Sequence, residues 1–175
     1  VARVRTLTVG DPFDDATDVG PLATAQGVAD VGSQVDRTVR AGATLLVGGS
    51  APRRPGWYFE PTVLRDVPRD SPAAREELFG PVAPIFRVNG VAEAIALAND
   101  TLLGLGSSVW TRDAALAERC TSELDVGMVF VNAMTASDPR IPFGGVKGSG
   151  YGREVGVHGL REFVNVKTVR GSVGG

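Results

Sequence analysis

Ser107-Ser108-Val109-Trp110, then TRDAALAERCTSEL at 111–124 and DVGMVFV at 125–131, form the stretch whose reading decides the fold class. Residues 107–110 read as a short strand. Residues 113–124 read as a helix opened by Asp113, whose carboxylate can cap the free N–H groups of the first turn. Residues 126–131 read as a buried strand. Working toward the N-terminus, 91–98 carries apolar residues around most of a short helix, 82–88 reads as a strand, and 58–64 reads as extended. Thr44–Val47 is a short apolar run stopped by Gly48-Gly49. Val28, Val31, Val35 and Val39 recur at spacings of three and four, the apolar stripe of a helix ending near Ala41-Gly42. Asp11-Pro12 and Gly20-Pro21 mark an early loop. Toward the C-terminus, 133–152 is rich in Gly, Pro and Ser and reads as one long loop, a length usually reserved for function or disorder. Residues 163–169 alternate apolar and polar side chains, which predicts a strand. Helices alternating with short buried strands predict an α/β layered domain, with a largely parallel sheet and flanking helices. That domain is expected over 1–152, followed by a tail, 153–175, carrying the terminal strand.

The composition narrows the functional classes. The chain has 175 residues and a net charge of −2 from 18 basic and 20 acidic side chains, well mixed. No basic stripe points to nucleic acid. No apolar run approaches the length of a membrane span, and no secretory signal is present. One cysteine excludes an internal disulfide framework and agrees with a reducing, cytoplasmic setting. The chain opens on Val1, and residues 1–7 read as the end of an element, so a piece of a longer protein is expected.

Several familiar chemistries are missing. There is no strand–GxGxxG–helix pattern, and Gly144–Ser149 lacks the spacing of a phosphate loop. His158 stands alone, without a partner at metal-ligand spacing. Cys120 shares a helix face with Leu116 and Leu124, which predicts a buried thiol and not a nucleophile.

Glu76-Glu77-Leu78-Phe79-Gly80-Pro81-Val82 is the most informative motif. In an extended segment Glu77 and Phe79 point to the same side. A carboxylate can accept hydrogen bonds from vicinal ribose hydroxyls, and a phenyl ring can pack on a flat heterocycle. The competing reading is a solvated glutamate pair and a core phenylalanine before a turn.

Glu77-Leu78-Phe79-Gly80-Pro81 resembles the E-[IL]-F-G-P signature of the aldehyde dehydrogenase superfamily. Val9-Gly10-Asp11-Pro12 with Gly20-Pro21-Leu22 resembles the family's VGDP…GPL loop. Tyr58-Phe59-Glu60-Pro61-Thr62-Val63-Leu64, Ala98-Asn99-Asp100, Ser108-Val109-Trp110-Thr111 and Gly127-Met128-Val129-Phe130-Val131-Asn132 are similar to further family stretches, in the family's order. Leu103 departs from the pattern, which commonly has Tyr there. Residues 142–154, PFGGVKGSGYGRE, match PFGG-x-K-x-SG-x-G-RE.

This resemblance implies aldehyde oxidation through a cysteine thioester, with hydride transfer to NAD or NADP. It also implies that the nucleophilic cysteine, the general base and the N-terminal cofactor-binding domain lie outside these residues, and that this polypeptide alone is inactive. Glu77 and Phe79 would orient the nicotinamide half of the cofactor. Residues 133–143 would line the aldehyde tunnel, with Phe143 in its aromatic wall. The loop is closest in wording to bacterial succinate-semialdehyde dehydrogenases. Ser137 and Arg140 would then meet a distal carboxylate, the alternative being an Asp138–Arg140 contact on a solvated loop. Residues 163–169 resemble the family's oligomerisation strand, implying a homo-oligomer. A truncated binding or oligomerisation piece, and a general aliphatic aldehyde dehydrogenase, are the alternatives.

Overall fold

A threonine starts the first long helix. Thr24 Oγ1 accepts the Gly27 N–H at 3.0 Å and caps α2 (Ala25–Arg40), which follows the short α1 (Ala2–Arg5). The valine stripe of α2 does what its spacing predicts: Val31 and Val35 are buried, and Val28 and Val39 pack at the rim of the same cluster. The computed structural model describes residues 1–171, which divide into two compact units, one over Val1–Val88 and one over the described residues from Asn89 onward.

In the first unit α2 covers a small sheet of β1 (Thr44–Val47), β2 (Thr62–Arg65) and β3 (Val82–Ile85), with α3 (Pro72–Arg75) in the β2–β3 connection. β1 runs antiparallel to β2, and β2 parallel to β3 with Thr62 opposite Val82. Phe59, Leu64, Val67 and Ala73 close the core against α2. Gly48, at φ 72°, is obligatory, since a Cβ there would sit 2.4 Å from the Pro61 carbonyl oxygen.

One buried hydroxyl ties α2 to α3. Thr38 Oγ1 donates to the Gln34 carbonyl at 2.7 Å and accepts the Ala73 N–H at 3.0 Å. Thr38→Val keeps the shape and strands a buried N–H, so it is expected to cost about 1–3 kcal/mol. A fall in the denaturant midpoint with an unchanged slope would register that loss, and an unmoved midpoint would refute the role.

The second unit holds α4 (Val91–Asn99), β4 (Gly106–Val109), α5 (Ala114–Glu123), β5 (Met128–Val131) and α6 (Gly156–Glu162). β4 and β5 pair in parallel, with α5 as their crossover. Asp113 caps α5, accepting from Ala115 and Leu116. Cys120 is buried on the inner face of α5, as its spacing predicts. Asn99 joins the ends of both helices, since its amide donates to the Glu123 carbonyl and accepts the Asp125 N–H, each at 2.8 Å.

Two of the three strand pairings are parallel, as the expected largely parallel arrangement requires, but among the described residues the strands form two small sheets and not one. α3 and α6, too short to show an apolar period, escape the sequence reading. Residues 163–169 form no strand: Phe163 is in a turn, Val164 in a bend, and 165–169 are irregular. A strand is made by the backbone bonds of a partner strand, and among the described residues this segment pairs with none, the N–H groups of Phe163 and Val164 turning back to the end of α6 instead. Residues 172–175 of the expected tail lie outside the described residues.

Candidate cofactor and substrate site

The acidic pair behind α3 is divided between two tasks. Arg37 Nη1 and Nη2 donate to the two oxygens of Glu76 at 3.0 and 2.9 Å. Gln34 Nε2 donates to Glu76 Oε2 and to the Glu77 carbonyl, both at 3.0 Å. The Arg37 guanidinium, and after it the Gln34 amide, hold the Glu76 carboxyl below its usual range. Glu76 is thus spent on fastening the segment to α2, while these bonds leave the Glu77 carboxylate untouched.

Leu78 turns inward and packs on the core. Gly80 lets the chain pass close to α2, since a Cβ there would lie 3.0 Å from Val31 Cγ2. Glu77 and Phe79 consequently face outward together, and Phe79 is 79% exposed. Both line a pocket of about 300 Å³ whose floor includes Gln34, Arg37 and Val31. The core-phenylalanine reading is therefore excluded. Gln34 and Arg37 escaped the sequence reading because nothing local separates a clamping residue on a helix face from a solvated one.

The loop after β5 is anchored at both ends. Asn132, at φ 53°, exchanges two amide bonds with the Thr111 backbone at 2.9 Å each. Further on, Phe143 and Glu154 exchange backbone bonds of 2.9 and 2.6 Å. Arg153 Nη1 donates to the Gly145 and Gly152 carbonyls at 2.9 and 2.7 Å, gripping the Gly-Gly turn from the side. Phe143 is half-buried and lines a pocket of about 280 Å³ with Leu105, Tyr151 and Arg153. Anchoring the loop and lining a cavity are both open to it.

Ser137 and Arg140 are exposed on the crest of this loop. Arg140 is paired: its Nε donates to Asp138 Oδ1 and Oδ2 at 2.9 and 3.2 Å, and its Nη2 donates to Oδ2. The Arg140 guanidinium, then its backbone N–H, hold the Asp138 carboxyl below the usual range. The Asp138–Arg140 contact weighed from sequence is thus present.

Glu77 and Phe79 belong to the first unit, and Ser137, Arg140 and Phe143 to the second. Among the described residues no group of three or more His, Cys, Asp or Glu is placed to hold a metal, and no helix is long and apolar enough to cross a membrane.

Residues 1–169 match the Aldehyde dehydrogenase family. The chain belongs to the aldehyde dehydrogenase family. This aldehyde dehydrogenase sequence is 52% identical over 169 residues to succinate-semialdehyde dehydrogenase (NADP(+)) 1 of Mycobacterium tuberculosis, covering 97% of the chain and 37% of that relative. It superimposes on the solved structure of Gox0499 with a TM-score of 0.94 at 42% identity, over 98% of this chain and 38% of the other. Betaine aldehyde dehydrogenase from Staphylococcus aureus, solved in complex with NAD+, gives a TM-score of 0.89 at 36% identity, over 93% of this chain and 33% of the other. The chain therefore spans little more than a third of the length of these family members.

Proposed function

We propose that this chain forms the C-terminal portion of an NADP- or NAD-dependent aldehyde dehydrogenase that oxidises a semialdehyde, succinate semialdehyde being the best candidate, to the carboxylate. In this reading the cysteine that forms the thioester and the cofactor-binding domain lie outside these residues. Residues 1–152 contribute to the catalytic domain, and 153–175 form a tail. The observation that carries the proposal is the outward presentation of Glu77 and Phe79 side by side over one pocket. The 52% identity to an enzyme named for succinate semialdehyde and NADP(+) supports the choice of substrate and cofactor.

The residues present suit the nicotinamide half of the cofactor. A carboxylate not used by the neighbouring clamp can accept two ribose hydroxyls, and an exposed phenyl ring offers a flat apolar face. When bound, the nicotinamide supplies the hydride acceptor. The contribution of this chain is placement: Glu77 holds the ribose, Phe79 packs on the ring, and Gln34 and Arg37 keep both from drifting. Phe143 supplies an apolar wall for the aldehyde. Ser137 donates to a distal carboxylate, and Arg140 attracts it with the donors that Asp138 leaves. The exposed apolar residues Phe163, Val164, Val166 and Val169 make the tail the segment that pairs with a second copy in a homo-oligomer.

Glu77→Gln in the complete enzyme tests the proposal. A positioning contact acts on geometry at hydride transfer, so kcat should fall about tenfold or more while cofactor affinity stays within a few-fold. An unchanged kcat would return Glu77 to the surface of the protein.

A further inference from the structure

The structure fills the Nε–Nη2 edge of Arg140 with a carboxylate from its own loop. We propose that Asp138 is a specificity-determining residue, an internal competitor whose carboxylate occupies the Arg140 guanidinium and weakens capture of a substrate's distal carboxylate. The inference rests on the reading of Arg140 as the group that meets that carboxylate.

A guanidinium grips a carboxylate best with two parallel N–H donors. In Arg140 one such pair, Nε and Nη2, is already directed at Asp138. The contact is more than a chance meeting of long side chains. Asp138 Oδ1 also accepts the Arg140 backbone N–H at 2.9 Å, and its carbonyl accepts the Ile141 N–H at 3.1 Å. The local turn therefore holds the carboxylate where the guanidinium finds it, and little ordering is left to be done. The partners are unequally exposed, the Arg140 side chain at 84% and that of Asp138 at 31%. An incoming anion therefore meets Arg140 from the solvent side, along the Nη1–Nη2 end, with Asp138 behind it.

Two costs follow for a carboxylate substrate. It must accept the remaining edge of the guanidinium or displace Asp138. In either case it approaches a pair of zero net charge, and so feels less long-range attraction than a lone arginine would exert. An uncharged aldehyde of the same length pays neither cost. Asparagine at 138 separates the charge from the turn, because its Oδ1 can still accept the Arg140 N–H.

The test uses the complete enzyme with succinate semialdehyde and butanal, comparing wild type, Asp138→Asn, Arg140→Ala and the double variant. The readout is the KM for succinate semialdehyde divided by the KM for butanal, with kcat followed separately. Asp138→Asn is expected to lower that ratio about two- to fivefold, the scale of an exposed ion pair, through KM and not kcat. In the Arg140→Ala background the drop should be lost. A ratio that stays level or rises in Asp138→Asn, while Arg140→Ala raises it, overturns the competitor and keeps the arginine's role. A drop equally large without Arg140 also overturns it, since the charge would then act on the substrate directly. If Arg140→Ala leaves the ratio at its wild-type value, the arginine reading fails and the competitor falls with it.

Discussion

Gly127→Ala is expected to lose about 3 kcal/mol or more of folding stability, at the severe end of overpacking. A Cβ at 127 would lie 1.9 Å from the Gly144 carbonyl oxygen, 2.7 Å from the Gly144 carbonyl carbon and 2.8 Å from Gly145 Cα. All three are backbone atoms, so no rotamer change relieves the overlap. The surroundings cannot slide away easily. The Gly127 and Val146 N–H groups both donate to the Gly104 carbonyl at 3.0 Å, which pins the lead-in to β5 and the Gly-Gly turn to one anchor. Gly90→Ala is the control, because a Cβ there meets nothing within 4 Å. It should shift stability by no more than about 0.5 kcal/mol. Urea unfolding of the two variants side by side checks the contrast, and equal shifts would refute the steric account. Phe143 adjoins Gly144, so a Gly127→Ala protein that still folds should also carry a displaced Phe143.

Leu64→Ala is the second large effect, expected to cost about 2–5 kcal/mol. Leu64 is fully buried at 0% exposure in the central strand of the first sheet, between Leu45 and Pro84. Val31, Val35 and Phe59 share its cluster. The vacated space is hard to refill, since α2 is fastened to α3 by Thr38 and to Glu76 by Gln34 and Arg37. Leu102→Ala, at a position 81% exposed, should change stability by no more than about 0.5 kcal/mol. Comparable losses from both leucines would mean that the core is not where the structure places it.

Local patterns carried much of this fold. The valine stripe of α2, the Asp113 cap of α5 and the short apolar runs of β1 and β5 each depend on neighbours within a few residues. Such patterns are legible because helix and strand periods repeat inside one element. The same period placed Glu77 and Phe79 on one side of an extended segment. Whether that side met solvent or core was not local. It was settled by Leu78, which packs against the core cluster, and by Arg37 and Gln34, which claim Glu76 from a helix some forty residues earlier.

The long loop after β5 divides in the same way. Its glycines and prolines announced an irregular segment, and its wording announced a family. The grip of Arg153 on Gly145 falls inside the 142–154 motif, but the motif's letters do not say which atoms meet, and the approach of Gly127 to Gly144 joins two separate motifs. The sequence offered Arg140 a substrate carboxylate or Asp138 as a partner, and the contact with Asp138 is present in the chain, set by the turn at that residue. Residues 163–169 show the opposite limit: alternation can propose a strand, but only a partner's backbone can make one. Sequence alone was enough for the longer helices, for most of the strands, for the buried cysteine and for the family. The short α3 and α6, the outward face of Glu77 and Phe79 and the pairing of Glu76 and Asp138 came only with the folded chain, because they depend on surfaces and turns that no periodic pattern encodes.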